Sequence, residues 1–229
     1  MPGIGELREG VLHAAVKDGL ARPGDRAEVR VGRFVIDLVR ADGELVEVQT
    51  GGFGPLGPKL DALLDEHRMR IVHPVTASRR IVRVDADGVV LSARQSPRRG
   101  TPLDVFDRLV AFPSLLAHPN LTVEVLLCDE DHVRAPEAGR SRSGRRRRDP
   151  GERRLVDVVD RVELRGPEDA RALVPRTLRE LGEPFTTKEL AGSLGVPVVL
   201  AQRVAYCLHA LDVLGPAGKR GHAPLHVLT

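Results

Sequence analysis

The chain has 229 residues, of which 41% are hydrophobic, and it carries a net charge of +3 at pH 7. This hydrophobic content is enough to form a core and excludes an intrinsically disordered protein. The sequence contains no secretory signal and no apolar run of about eighteen residues, so neither export nor a membrane span is predicted. The two cysteines, Cys128 and Cys207, lack metal-type spacing and are expected to be buried thiols in a reducing cytoplasm.

The basic residues are dominated by arginine, because only four of the 35 lysines and arginines are lysines, which leaves 31 arginines. The guanidinium group binds phosphate through two parallel hydrogen bonds, so this bias is compatible with a nucleic-acid ligand. A GC-rich coding sequence would produce the same bias without any functional cause.

The first third of the chain predicts a helix, three strands, a second helix and a fourth strand. The first helix covers residues 4–20 and the first strand covers residues 27–31. Leucines at helical spacing predict the second helix over residues 56–67, and residues 70–75 form the next strand. This order predicts an α/β protein with a mixed sheet and helices packed on it.

The second and third strands are predicted to form a hairpin over residues 34–49, in which each strand carries a carboxylate among valine, isoleucine and leucine. A three-residue loop that ends with Gly43 in the left-handed region would set Asp37 opposite Glu47, with Gln49 on the face of Glu47. A two-residue turn would shift the register by one and separate the two carboxylates. We expect the three-residue loop, because it leaves one continuous apolar face.

Two carboxylates facing each other on apolar strands indicate a bound cation, because a buried charge is costly unless it is paired or bound. Asp37 and Glu47 are therefore predicted to hold a divalent metal ion. Alternatively, Asp37 pairs with Arg30 or Arg33, and Glu47 lies on the solvent face of a half-exposed strand.

Beyond residue 76 the pattern remains that of a folded protein. It predicts a hairpin with strands at 79–85 and 88–94, a helix over 102–116 and a strand over 121–128.

Composition then changes, and residues 140–154 contain eight arginines with serine, glycine and proline between them. Such a segment cannot build a core and is expected to be a loop. Its functional alternative is a phosphate-binding arm that includes Arg145 and Arg146. A strand is predicted to resume over residues 155–164.

The C-terminal segment is predicted to be helical, with helices over 168–181 and 198–214 and a β-ribbon over 215–228. Between these two helices, Thr186 and Glu189, which stand three residues apart, match a capping box that begins a short helix. This arrangement resembles a winged helix-turn-helix module.

In such a module the last helix enters the major groove and the wing contacts the backbone. The candidate nucleic-acid contacts are therefore Gln202 and Arg203 on the helix and Lys219 and Arg220 on the ribbon. Winged helices also serve as protein-interaction modules, and that alternative stays open.

The αβββαβ order, Asp37 on the second strand and Glu47-Val-Gln49 on the third resemble the PD-(D/E)XK nuclease superfamily, which has the restriction-endonuclease-like fold. The resemblance covers about residues 4–76. It implies that Asp37 and Glu47 hold Mg²⁺ or Mn²⁺, and that Glu47 and Gln49 belong to the catalytic set.

Position 49 departs from the family pattern, which has a lysine there. Lys59, on the following helix, is the candidate to supply the missing ammonium group. The family also commonly has an acidic residue on the first helix, and Glu9 fits that position, with Glu6 in reserve.

The resemblance implies a metal-dependent nuclease that cleaves nucleic-acid phosphodiester bonds in the cytoplasm. We expect DNA rather than RNA as its ligand and no membrane association, and a homodimer is compatible with this function. Two alternatives remain: a catalytically inactive DNA-binding protein with the nuclease fold, and a winged-helix scaffold for protein interactions.

The predicted domain organisation has four segments: an endonuclease-like core with a β-rich extension over 1–135, the arginine-rich loop over 136–154, a strand continuing the core over 155–166, and the winged helix-turn-helix over 167–229.

Overall fold

A computed structural model of the chain describes residues 10–135, 151–174, 181 and 184–229. The predicted candidates Glu9, Arg145 and Arg146 lie outside the described residues. The helices are α1 (Val11–Leu20), α2 (Gly57–Leu63), α3 (Phe106–Leu109), α4 (Pro167–Ala172), α5 (Thr187–Leu194) and α6 (Val198–Ala210). The strands are β1 (Arg26–Val31), β2 (Phe34–Val39), β3 (Leu45–Val48), β4 (Met69–Val84), β5 (Val90–Gln95), β6 (Leu121–Arg134), β7 (Glu152–Leu164), β8 (Phe185–Thr186), β9 (Leu214–Arg220) and β10 (Ala223–Leu228).

The strands of the described chain form a larger mixed sheet and a smaller one. The larger sheet has the order β1-β2-β3-β4-β6-β7, with β5 also paired to β4, and the smaller has the order β8-β10-β9. Strands β1, β2 and β3 pair antiparallel, whereas β3 and β4 pair parallel. A parallel pair needs a crossover connection, and α2 lies in the one that joins β3 to β4. The predicted mixed α/β architecture is thereby confirmed.

The chain forms two compact units, each composed of three segments. The first unit comprises Met1–Ala21, Pro74–Thr101 and Leu126–Arg161. The second comprises Arg22–His73, Pro102–Val125 and Val162–Thr229. The β2–β3 hairpin, α2 and the C-terminal helices with their small sheet all belong to the second unit.

The core of the second unit covers both faces of the β2–β3 hairpin. Ile36 and Val46 are completely buried, and the consecutive residues Leu38 and Val39 are 2% and 4% exposed. Because consecutive side chains point to opposite faces of a strand, burial of both neighbours means that both faces are covered. Helix α2 contributes Leu60, which is also completely buried.

The single helix predicted over residues 102–116 is wrong. Two short 3₁₀ turns, Pro102–Val105 and Pro113–Ala117, flank the four-residue α3. Pro113 interrupts the predicted helix, because a proline disfavours the helical region for the residue before it. Phe112 accordingly has φ −156° and separates α3 from the second 3₁₀ turn.

Strand β4 is longer than the sequence indicated, since it joins the predicted strand 70–75 to the first strand of the following hairpin. Helix α6 ends at Ala210 rather than at residue 214. The capping box of α5 is confirmed: Thr186 Oγ1 accepts from the Glu189 N–H at 3.2 Å, and the Thr186 N–H donates to Glu189 Oε2 at 2.7 Å.

Within the described residues, no single helix is long and apolar enough to cross a membrane. Helices α5 and α6 taken together would be long and apolar enough, but they are bent by 109° at their junction.

Candidate functional site

The β2–β3 hairpin has the predicted three-residue loop. Leu38 pairs with Val46, and the Arg40 N–H donates to Glu44 O at 2.9 Å. Gly43 has φ +85°, the left-handed conformation that such a loop requires and that glycine adopts without steric cost. The predicted register is thereby confirmed, and the two-residue alternative is excluded.

One step further along this register, Asp37 faces Glu47. Asp37 Oδ2 accepts a hydrogen bond from the Val48 N–H at 2.8 Å, and a backbone hydrogen bond from Asp37 reaches the Glu47 carboxylate. Each carboxylate is therefore oriented by the main chain of the other strand. Arg33, one of the two predicted alternative partners of Asp37, has its guanidinium 5.0 Å from the centre of the Phe34 ring.

Lys59 lies beside this pair of carboxylates. Its Nζ is 2.6 Å from Glu47 Oε1 and donates to Val35 O at 2.8 Å. Both side chains of the ion pair are largely buried, with 14% of Lys59 and 8% of Glu47 exposed. Lys59 is held in place by α2, whose next residue, Leu60, is fully buried in the core.

The electrostatics of Glu47 are those of a buried acid beside another acid. Burial and the negative charge of Asp37 raise the pKa of Glu47 to about 7, while the ammonium group of Lys59 acts in the opposite direction. With all three groups ionised, two negative charges face one positive charge. The raised pKa shows that Lys59 offsets the burial of Glu47 and the charge of Asp37 only in part.

Gln49 is engaged with the loop that follows β3. Its main-chain N–H donates to Val72 O at 2.8 Å, and its side-chain Nε2 donates to Gly52 O at 2.5 Å. The structure thus brings Asp37, Glu47 and Lys59 together, whereas the amide of Gln49 is bonded to the main chain of its own loop.

His73 is a neighbour of the site that the sequence analysis missed. Its Nδ1 lies 2.5 Å from Gln49 O, and its ring stands edge-on to Phe53 at 5.2 Å between centroids. The available signal was a histidine within an apolar strand. Its link to Gln49 depends on the parallel pairing of β3 with β4, which sequence spacing does not reveal.

The donor set fits a hard divalent cation only in part. Asp37 and Glu47 supply carboxylate oxygens, which Mg²⁺ prefers, and Mg²⁺ usually retains several waters. Among the residues that the structure describes, no three His, Cys, Asp or Glu side chains are grouped so that they could hold a metal ion together. The ammonium group of Lys59 is bonded to Glu47 Oε1, so a metal ion would have to compete with it for this oxygen.

The candidate contacts of the C-terminal segment divide into two kinds. Gln202 and Lys219 are exposed. Arg203 instead pairs with Asp107 at 2.5 Å, and Arg220 pairs with Glu189 at 2.7 Å. These two arginines would have to exchange a carboxylate for a phosphate in order to bind nucleic acid.

Sequence comparison places the hairpin, α2 and strands β1 to β7 inside one region that matches a family. Residues 10–165 match the family described as "Domain of unknown function (DUF8091)". A relative from Treponema pallidum (strain Nichols), described as an uncharacterized protein, is 31% identical over an alignment of 230 positions that covers 97% of this chain and 86% of the relative. No solved structure matches the chain. Since the matched region spans more than half of its length, the chain belongs to the family Domain of unknown function (DUF8091).

Proposed function

We propose that this protein is a metal-dependent nuclease that hydrolyses nucleic-acid phosphodiester bonds at Asp37, Glu47 and Lys59. One observation carries the proposal: the buried Glu47 lies beside Asp37, and the Lys59 ammonium group is 2.6 Å from its carboxylate. Two acids and a lysine are the residue types of the PD-(D/E)XK pattern. In this chain the lysine comes from α2 instead of position 49.

The element order supports the same proposal. Helix α1, strands β1 to β3, helix α2 and strand β4 follow one another in the order αβββαβ. Helices α4 to α6 and the sheet β8-β10-β9 have the composition of a winged helix, which would present or select the substrate. Fold alone does not specify chemistry, so the proposal depends on the site.

Asp37 and Glu47 are the residues that would hold Mg²⁺ or Mn²⁺. Such an ion polarises a phosphate and lowers the pKa of a bound water. The Val48 N–H keeps the Asp37 carboxylate oriented, so little reorganisation is needed on binding. Glu47 must be ionised to act as a ligand, and its raised pKa therefore makes binding dependent on pH near neutrality.

Lys59 supplies the positive charge of the site. Hydrolysis joins a water oxygen to phosphorus and breaks one P–O ester bond, and negative charge increases on the phosphoryl oxygens during this step. An ammonium group held by Val35 O and Glu47 is preorganised to stabilise that charge. Gln49, whose amide holds Gly52 O, would act by fixing the loop after β3.

The test is a cleavage assay on supercoiled, linear and branched DNA, single-stranded DNA and RNA, with Mg²⁺ or Mn²⁺. We expect Glu47→Gln and Asp37→Asn to abolish cutting, and Lys59→Met to reduce it strongly. Asp61→Asn is the matched control, because Asp61 is an exposed carboxylate of α2. Equal cutting by wild type and Glu47→Gln would exclude this site as the catalytic centre.

A non-catalytic DNA-binding protein is the second candidate, and Gln49 is the observation that favours it. This residue stands where the PD-(D/E)XK pattern has a lysine, and its amide donates a hydrogen bond to Gly52 O. Salt-sensitive duplex binding without cleavage of any substrate would support this alternative. A winged-helix scaffold for protein interactions is the third candidate. It is favoured by the ion pairs of Arg203 with Asp107 and of Arg220 with Glu189, because these engage two arginines that were expected to contact DNA.

A further inference from the structure

The first unit carries a cluster of four arginines around one buried carboxylate. Glu130 on β6 has a side chain with 0% exposure. It accepts from Arg153 Nε at 2.8 Å and Nη2 at 2.6 Å, and from Thr76 Oγ1 at 2.9 Å. One guanidinium group and one hydroxyl group therefore already satisfy this carboxylate.

Arg79 on β4 is the second arginine of the cluster, and Glu130 compensates its charge only weakly. Its Nη2 is 3.8 Å from Glu130 Oε2 and donates to Thr76 Oγ1 at 3.0 Å. Its Nε is buried and has no hydrogen-bond partner within the described chain. Burial and the positive charges of Arg153, Arg98 and Arg134 lower the pKa of Arg79, against the attraction of Glu130.

Arg98 and Arg134 extend the cluster to the surface. Both are exposed, and neither side chain forms a hydrogen bond or an ion pair with any described residue. Arg134 stands four residues after Glu130 on β6, so the two side chains share a face of the strand.

The backbone around Arg98 is held in place by β4. The Ser96 N–H donates to Arg79 O at 2.8 Å, and the Gly100 N–H donates to Thr76 O at 2.9 Å. The segment that carries Arg98 is therefore fixed at both ends beside the arginine cluster, which lowers the entropic cost of binding.

The carboxylate next to Glu130 along β6 is paired outside the cluster. Asp131, the residue after Glu130, is engaged by Arg80 through hydrogen bonds of 2.8 and 2.5 Å. Within the described ranges, Glu130 is the one carboxylate that forms an ion pair with a member of the cluster, and it does so with Arg79 and Arg153. Arg98 and Arg134 have no carboxylate partner in the part of the chain that the structure describes, which indicates an anionic ligand because guanidinium groups bind phosphate bidentately.

We propose that Arg79, Arg98, Arg134 and Arg153 form a binding surface for the phosphate backbone of duplex DNA. The four residues come from three strands and one connecting segment, and two of them are exposed, so they form an extended surface rather than a closed cradle for a single small anion. The choice of DNA as the ligand rests on the proposed function. The surface itself does not depend on catalysis at Glu47.

The test is fluorescence anisotropy of a labelled DNA duplex with the full-length protein in EDTA, measured over a series of salt concentrations. The test variant is Arg98→Gln with Arg134→Gln, because neither side chain supports the fold. The matched control is Arg26→Gln with Arg30→Gln, which removes the same charge from exposed positions of β1. Arg153 is left intact, since its loss would unpair the buried Glu130.

We expect the test variant to bind the duplex roughly tenfold more weakly, and its slope of log affinity against log salt to be shallower by about two. The control should keep the wild-type slope. Equal weakening in both variants would show an effect of net charge alone and would overturn the proposal, as would unchanged binding by the test variant.

Cleavage is scored separately, so the two proposals can fail independently. Loss of cutting in Glu47→Gln with retained, Arg98-dependent binding would support both proposals. Binding of the duplex by a wild type that cuts no substrate would refute the nuclease proposal and leave the proposed binding surface supported. Arg98-dependent binding to anionic vesicles or polyphosphate, with none to the duplex, would overturn the assignment of DNA.

Discussion

Replacing Glu47 by glutamine is expected to change how the stability of the protein depends on pH. The pKa of Glu47 rises from 4.5 to about 7 on folding, chiefly through burial. Between these two values the folded state binds a proton that the unfolded state has already released. The free energy of unfolding therefore falls as pH rises through this window.

The magnitude follows from the size of the pKa change. At about 1.4 kcal/mol per pKa unit, the rise corresponds to about 3 kcal/mol of stability lost by the wild type as pH rises from 4.5 to above 7. Glutamine resembles the protonated acid in shape and carries no charge. Glu47→Gln should therefore match the wild type near pH 4 and exceed it by about 3 kcal/mol at pH 8.

The assay is urea unfolding of both proteins in EDTA at intervals from pH 4 to pH 8.5, with Asp61→Asn as the exposed control. The difference between Glu47→Gln and wild type should grow with pH, and the control should show no such trend. A difference that is constant with pH, or a wild type that gains stability relative to the variant as pH rises, would refute the burial of an acid with a raised pKa.

Three further results are expected. Mg²⁺ should raise the melting temperature of the wild type, and more strongly as pH approaches 7, because binding needs ionised Glu47. The melting temperature of Asp37→Asn should not change with Mg²⁺, and a shift retained in this variant would exclude the pair as the metal site. Burial and the neighbouring His209 lower the pKa of His226, so its contribution to stability should be present above pH 6.5 and lost as pH falls below it. His226→Gln should therefore make the melting temperature less dependent on pH, and an unchanged pH dependence would contradict this. Thr186→Ala removes the hydroxyl group of the capping box and should cost about 1 kcal/mol in urea unfolding, whereas no loss would show that α5 does not depend on its cap.

Features set by neighbouring residues were predictable from the sequence. The three-residue loop ending in Gly43 determines the register that sets Asp37 across from Glu47, because the turn geometry and the alternation of side chains leave one arrangement with a continuous apolar face. The capping box of Thr186 and Glu189 likewise depends only on residues three apart. The mixed sheet was predictable from the order of the elements, because a helix between two strands is the crossover connection that a parallel pair needs.

Features that depend on contacts between distant segments required the tertiary structure. The burial of Glu47, and with it the raised pKa, results from packing on both faces of β3, whereas the sequence pattern also allowed an exposed strand. Lys59 reaches Glu47 because α2 crosses over between β3 and β4, and the ion pair spans twelve positions of the chain. The pairing of Arg203 with Asp107 spans 96 positions. The sequence by itself therefore determined the elements and the facing carboxylates, since turn and strand geometry act locally; only the packing of distant segments decided which charges are buried, paired or exposed.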